Sequence, residues 1–182
     1  MENWTVWIIL GLVAVFIIVL YNRLVALRQT RRNAFSDIDV QLKVRSDLIP
    51  NLVETVKGYA AHEKGTFDMV TQARTKFMSL TAPEDKIKAN TELTNALGKL
   101  FAVAEAYPDL KANQNFLELQ TELSDTEDKI SFARQFYNDV VMDFNNGVQM
   151  FPSSLIAGMF NFKAEPFFQI DESEKAAPQV KF

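Results

Sequence analysis

Cysteine is absent from the 182 residues, which removes disulfides, thiolate nucleophiles, cysteine zinc sites and a lipoprotein thioester together. Histidine occurs once, as His62, so no multi-histidine metal centre can be assembled and a hydrolytic triad would have to use that one ring. A di-iron helical bundle needs Glu-x-x-His on two helices, and Tyr59 stands where that Glu would precede His62. The charge balance is acidic. The formal net charge is -4; residues 1–32 set Glu2 against Arg23, Arg28, Arg31 and Arg32, a net of +3, which leaves -7 for the remainder. So acidic a chain lacks the footprint that phosphate neutralisation requires, and nucleic acid is not an expected ligand. Nowhere do apolar and polar residues alternate with a period of two, so no strand is predicted.

What is present is a composition that folds, 48% hydrophobic and 23% charged, in a length suited to one ordinary domain. Trp4 to Leu20 carries no charge. With Tyr21 the run has 18 residues, and at about 1.5 Å each it spans roughly 27 Å, near the lower limit for a bilayer core. Trp4, Trp7 and Tyr21 lie where amphipathic rings prefer the two membrane interfaces. No Lys or Arg precedes the run, and it ends in Tyr21-Asn22-Arg23 instead of a small-x-small cleavage site, so it is expected to be an uncleaved single-pass anchor. Arg23, Arg28, Arg31 and Arg32 follow it, which predicts the N-terminus outside and the long C-terminal part in the cytoplasm, with the lipid bilayer as the first partner. The expected plan is an anchor over 1–22, a helical bundle over 23–168 and a flexible tail over 169–182.

Past the arginines, apolar residues recur at steps of three and four from Phe35 through Ile38, Leu42, Ile49, Leu52 and Val56 to Val70 and Phe77. This predicts one long helix, kinked at Pro50 because proline removes a backbone hydrogen bond while the register continues on both sides. Thr81 and Glu84 have capping-box spacing and Pro83 suits a first turn, so a second helix is expected to run to Ala104 and stop before Tyr107-Pro108. The third helix, Gln114 to Gln149, carries a seam from Phe116 to Phe151. Leu155 to Phe162 is expected to make a short fourth helix or turn over one end. The fold class is therefore all-α: a transmembrane helix followed by an antiparallel up-down bundle of three long helices and a short one.

Two strings imitate catalytic motifs. Asp37-Ile38-Asp39-Val40 matches a phosphatase nucleophile string, but that chemistry needs a strand end and these residues fall within a helix. Gly98-Lys99 lacks the glycine and hydroxyl of a phosphate-binding loop. Glu118, Glu122 and Asp125 share one helical face, which reads as a solvated charged row, and no metal or cofactor is expected. The polar residues that matter lie on the seams: Arg45 and Glu63 at inward positions, with Glu127, Arg134 and Asn138 beside the third seam. If the seams meet, these charges must pair, so a structural polar network is expected.

The chain resembles the LemA family of bacterial membrane proteins. The resemblance rests on Asp37-Ile38-Asp39-Val40-Gln41-Leu42-Lys43 with Arg45, on Asp47-Leu48-Ile49-Pro50-Asn51-Leu52-Val53, and on Gly58-Tyr59 with His62-Glu63. It resumes in Asn115-Phe116-Leu117-Glu118-Leu119-Gln120, Thr126-Glu127-Asp128-Lys129-Ile130, Ala133-Arg134, Tyr137-Asn138 and Phe151-Pro152. Phe35 departs from the family, standing where Trp is common. The resemblance implies the bacterial cytoplasmic (inner) membrane, one span, a cytoplasmic helical bundle and no assigned reaction. Membership suggests a membrane-protein partner, such as a membrane zinc peptidase, and one branch is similar to magnetosome-associated proteins. A scaffold or adaptor acting by protein–protein contact or self-association is the expected function, without a small-molecule substrate. The alternatives are a hydrolase using Glu63, Glu118 or Glu127, and an envelope-stress component working with a membrane peptidase.

Overall fold

A computed structural model describes residues 3–168, apart from the side chains of Asn3, Pro83 and Glu84. The expected tail over 169–182 lies outside the described residues. Six helices make up the described chain: α1 (Asn3–Lys57), α2 (Lys64–Ser79), α3 (Pro83–Glu105), α4 (Pro108–Lys111), α5 (Gln114–Gln149) and α6 (Ser153–Met159). There is no strand among the described residues.

The predicted first long helix is in fact two. α1 runs uninterrupted out of the apolar segment and through Pro50, then ends at Lys57 before Gly58. The chain reverses over 58–63 and returns as α2. On one continuous helix, residues 46 and 74 would be about 42 Å apart, whereas Arg74 Nε donates to the Ser46 carbonyl at 2.8 Å. The apolar stripe hides the reversal because it resumes beyond the turn with Phe67, Val70 and Phe77, all buried.

α3 starts at Pro83 with Ala82 as its N-cap and no side-chain capping bond, so Thr81 is not the cap that its spacing suggested. The single-turn α4, also opened by a proline, turns the chain into α5. Asn113 caps α5 by accepting from the Phe116 amide at 3.0 Å, while its Nδ2 donates to the Tyr59 hydroxyl at 3.0 Å. α5 has the extent that its periodicity predicts.

The chain packs as two compact units that share the two long helices. Among the described residues, one comprises 3–36 with 133–168, and the other 37–132. In the 37–132 unit, Ile38, Leu42, Ile49, Leu52 and Val56 of α1 are buried, as are Leu93, Leu97 and Leu100 of α3 and Leu123 and Ile130 of α5. Each such side chain contributes about 1.5–3 kcal/mol by leaving water.

The other unit is built around Leu24, Phe144, Ile156, Ala157 and Phe162. Gly147 lies where an added Cβ would sit 3.2 Å from Leu24 Cδ2 and Leu27 Cδ1, which lets α5 approach α1 closely here. α6 is short because it closes in a Schellman motif. The Phe162 amide donates to the Ala157 carbonyl at 2.9 Å and the Asn161 amide to that of Gly158 at 3.4 Å. Asn161 takes the required left-handed conformation with φ 56°. The motif turns Phe162 back into the core beside Ala157.

Candidate functional site

α1 contains the one apolar segment among the described residues that is long enough to cross a membrane, and it is a candidate membrane anchor. Trp4, Trp7 and the aliphatic side chains from Ile8 to Phe16 are exposed on every side of the helix, an arrangement that suits lipid as solvent. Tyr21 is half-buried, its ring 4.7 Å from that of Phe160. The four arginines after the segment divide into two pairs. Arg23 and Arg32 are exposed, whereas Arg28 lies 4.8 Å over the Phe162 ring and Arg31 pairs with Glu165 at 3.2 Å. A cavity of about 400 Å³ opens beside Arg23, lined also by Leu20, Leu24, Asp143, Asn146 and Phe151.

In the 37–132 unit the polar centre forms around Arg45, which is 5% exposed. Its Nη1 lies 3.0 Å from Glu127 Oε2 and donates to Asn90 Oδ1 at 3.2 Å. α1, α3 and α5 thus converge on one guanidinium. The Glu127 side chain is 42% exposed, so this carboxylate keeps part of its hydration while neutralising a buried cation. A cavity of about 290 Å³ lies alongside, lined by Arg45, Glu127, Phe101 and Gln120 among others. Asn90 is absent from the sequence-level candidates, although it lies three residues before Leu93 and seven before Leu97, on the α3 stripe itself.

Pro50 organises a second polar contact. Lacking an N–H, it leaves the Ser46 carbonyl without its intrahelical donor, and this is the oxygen that Arg74 reaches from α2. Arg74 Nη2 is also 3.9 Å from Asp47. The proline therefore does more than bend α1: it exposes an acceptor at which α2 docks. Seam position does not reveal Arg74, because its partner is main chain.

The remaining candidates have contacts of their own. Glu63 is not on a continuing helix. It is the N-cap residue of α2, makes no side-chain capping bond, and lines an open hollow of about 710 Å³ with Lys99 and Tyr107. Arg134 and Asn138 serve the 133–168 segment instead. The Arg134 guanidinium lies 5.0 Å over the Phe168 ring. Asn138 donates to the Phe168 carbonyl at 3.1 Å and accepts from its amide at 2.8 Å. Asn145 repeats this pattern on Glu165, at 2.9 and 2.8 Å. The signal for Asn145 is its place seven residues after Asn138.

Asp37 is exposed on α1, and Asp39 pairs with Lys86 of α3, an arrangement without a strand-end nucleophile. Glu118, Glu122 and Asp125 are exposed, and Glu118 accepts from Gln114. Among the described residues no three His, Cys, Asp or Glu side chains gather to hold a metal.

The helical architecture, the apolar N-terminal segment and the Arg45–Glu127 pair coincide with a match to the LemA family model over residues 34–182. The chain belongs to the LemA family. It is 27% identical over 155 residues to Protein LemA of Metamycoplasma hominis, covering 85% of this chain and 71% of that protein. It is 26% identical over 175 residues to Magnetosome protein MamQ 2 of Paramagnetospirillum magneticum, and 25% identical over 174 residues to Magnetosome protein MamQ of Magnetospirillum gryphiswaldense. These alignments cover 82% and 81% of the chain and 64% of each magnetosome protein, so this LemA-family chain spans about two thirds of those relatives.

Proposed function

We propose that this chain is a non-enzymatic scaffold or adaptor of the bacterial cytoplasmic (inner) membrane. In this reading α1 makes a single span with its N-terminus outside, and the helices beyond it bind a membrane protein or further copies of the chain in the cytoplasm. No cofactor or small-molecule substrate enters the reading. The observation that carries it is the use made of interior charge. Arg45 is engaged by Glu127 and Asn90, each from a different helix, which holds helices in register and leaves the carboxylate committed to a structural partner. The carboxylates that a hydrolase would need do not converge, since Glu63 and Glu127 line different cavities and Glu118 is exposed beside Gln114. Meanwhile the 37–132 unit leaves Val40, Val44, Leu117 and Phe132 exposed, apolar surface of the kind that protein partners cover.

Photocrosslinking residues introduced at Val44, Leu117 and Phe132 in native membranes test the proposal. Reproducible capture of a distinct membrane protein from one face supports the adaptor, and crosslinks between copies alone support the homo-oligomeric scaffold. Absence of capture at all three positions, together with loss of the cellular phenotype in a folded Glu127→Gln variant, would favour the hydrolase instead.

A further inference from the structure

We infer that the corner joining α5 to α6 is a second membrane contact, a wedge that enters the boundary between lipid headgroups and acyl chains beside α1. The inference rests on the reading of α1 as a membrane span.

Four observations carry it. First, between Asp143 and Lys163 no residue carries charge, although the segment contains a turn, a helix and a helix end, elements that in water are usually polar. Second, its apolar side chains divide into two sets. Ile156 and Ala157 are buried against Leu24 and Phe144, whereas Phe151, Leu155 and Met159 are 79%, 61% and 73% exposed. The exposed three recur every four residues, and Phe151, the last member of the α5 seam in the sequence, points out of the core that the seam otherwise fills.

Third, the corner is fixed at the level where the apolar run ends. Ile17, Leu20 and Tyr21 pack against the cluster that includes Ile156, Ala157 and Phe162, and the tilted rings of Tyr21 and Phe160 are 4.7 Å apart. Ile17 lies one turn, about 6 Å, inside the span from Tyr21. Interfacial helices bury their apolar faces about 5–10 Å deep, so any bilayer that holds Ile17 in its hydrocarbon also meets the exposed row of α6. Fourth, the nearby cations lie on the cytoplasmic side of that level: Arg23 is exposed and Arg28 sits over Phe162, where phosphates of anionic headgroups are found.

The experiment uses the full chain in liposomes whose lipids carry bromine near either the carbonyl or the methyl end of the acyl chain. Trp4 and Trp7 are the only tryptophans, so their quenching in the unaltered chain reports the anchor. A Leu155→Trp substitution in a Trp4→Phe, Trp7→Phe background reports the corner, and Phe132→Trp in the same background is the control. The inference expects loss of most of the Leu155→Trp emission with shallow bromines, less with deep ones, and no loss for Phe132→Trp. Quenching of Trp4 and Trp7 without quenching of Leu155→Trp overturns the wedge and leaves the anchor standing. Failure to quench Trp4 and Trp7 overturns both. Because the chain lacks cysteine, Met159→Cys provides an independent arm: disulfide-linked dimers through that position, with an unquenched Leu155→Trp, would assign the face to a second copy and overturn the lipid contact.

Discussion

At the scale of single residues, the environment of Arg45 sets an asymmetry. The guanidinium is buried, while Glu127 is partly in water. Removing the carboxylate therefore takes a counter-charge from a buried cation, whereas replacing the arginine by an apolar chain of similar length leaves a carboxylate that water can solvate. Glu127→Ala is expected to cost about 1–2 kcal/mol, below the 3–5 kcal/mol typical of a fully buried pair because of its exposure. Arg45→Met should cost less than Glu127→Ala. Thermal unfolding of the full chain in one detergent, followed by far-ultraviolet circular dichroism, ranks the two, and the reverse order would mean that Arg45 contributes chiefly by its charge.

Among the elements, α1 and α2 meet at an acceptor created by Pro50. This makes Pro50 and Arg74 energetically coupled although their side chains share no bond. In the Pro50→Ala background the new N–H can serve the Ser46 carbonyl, so Arg74→Met should destabilise less there than in the unaltered chain. The difference should be about 1 kcal/mol, the scale of one hydrogen bond to a charged group partly offset by its replacement. Additive costs in the double-mutant cycle would show that Arg74 acts through Asp47 instead. The same contact explains how far the elements were legible in the sequence. α5 is readable from end to end because a long stripe ends at Phe151-Pro152. The turn between α1 and α2 is not, because periodicity records which residues face inward and carries no information about the direction of travel; Gly58 is the single local sign of it. The polar centre is half legible. Seam position singles out Arg45 and Glu127, which meet, and also Glu63, which the reversal carries elsewhere. Arg74, whose partner is a carbonyl, has no signature in a pattern of side chains.

On the scale of the whole molecule, charge is distributed along the chain as much as around it. The arginines just after the apolar run predict one orientation in the membrane. With no native cysteine, single substitutions report it cleanly: Glu2→Cys should react with an impermeant maleimide added outside intact spheroplasts, and Lys99→Cys only after lysis. The opposite labelling pattern would invert the topology and move the proposed partner to the other side of the bilayer.

The paired asparagines of α5 have a consequence for how the segment after α6 is recognised. Asn138 and Asn145 are seven residues apart, about 10.5 Å along a helix, and the residues they hold, Phe168 and Glu165, are three apart, about 10 Å along an extended chain. All four hydrogen bonds go to main chain, so none depends on which side chain is present, and Pro166 falls at a position whose missing N–H is not needed. Arg31 on the Glu165 carboxylate and Arg134 on the Phe168 ring, by contrast, respond to residue identity. The helix works here as a ruler: its asparagines fix the spacing of the peptide, and two cations at its marks read what stands there.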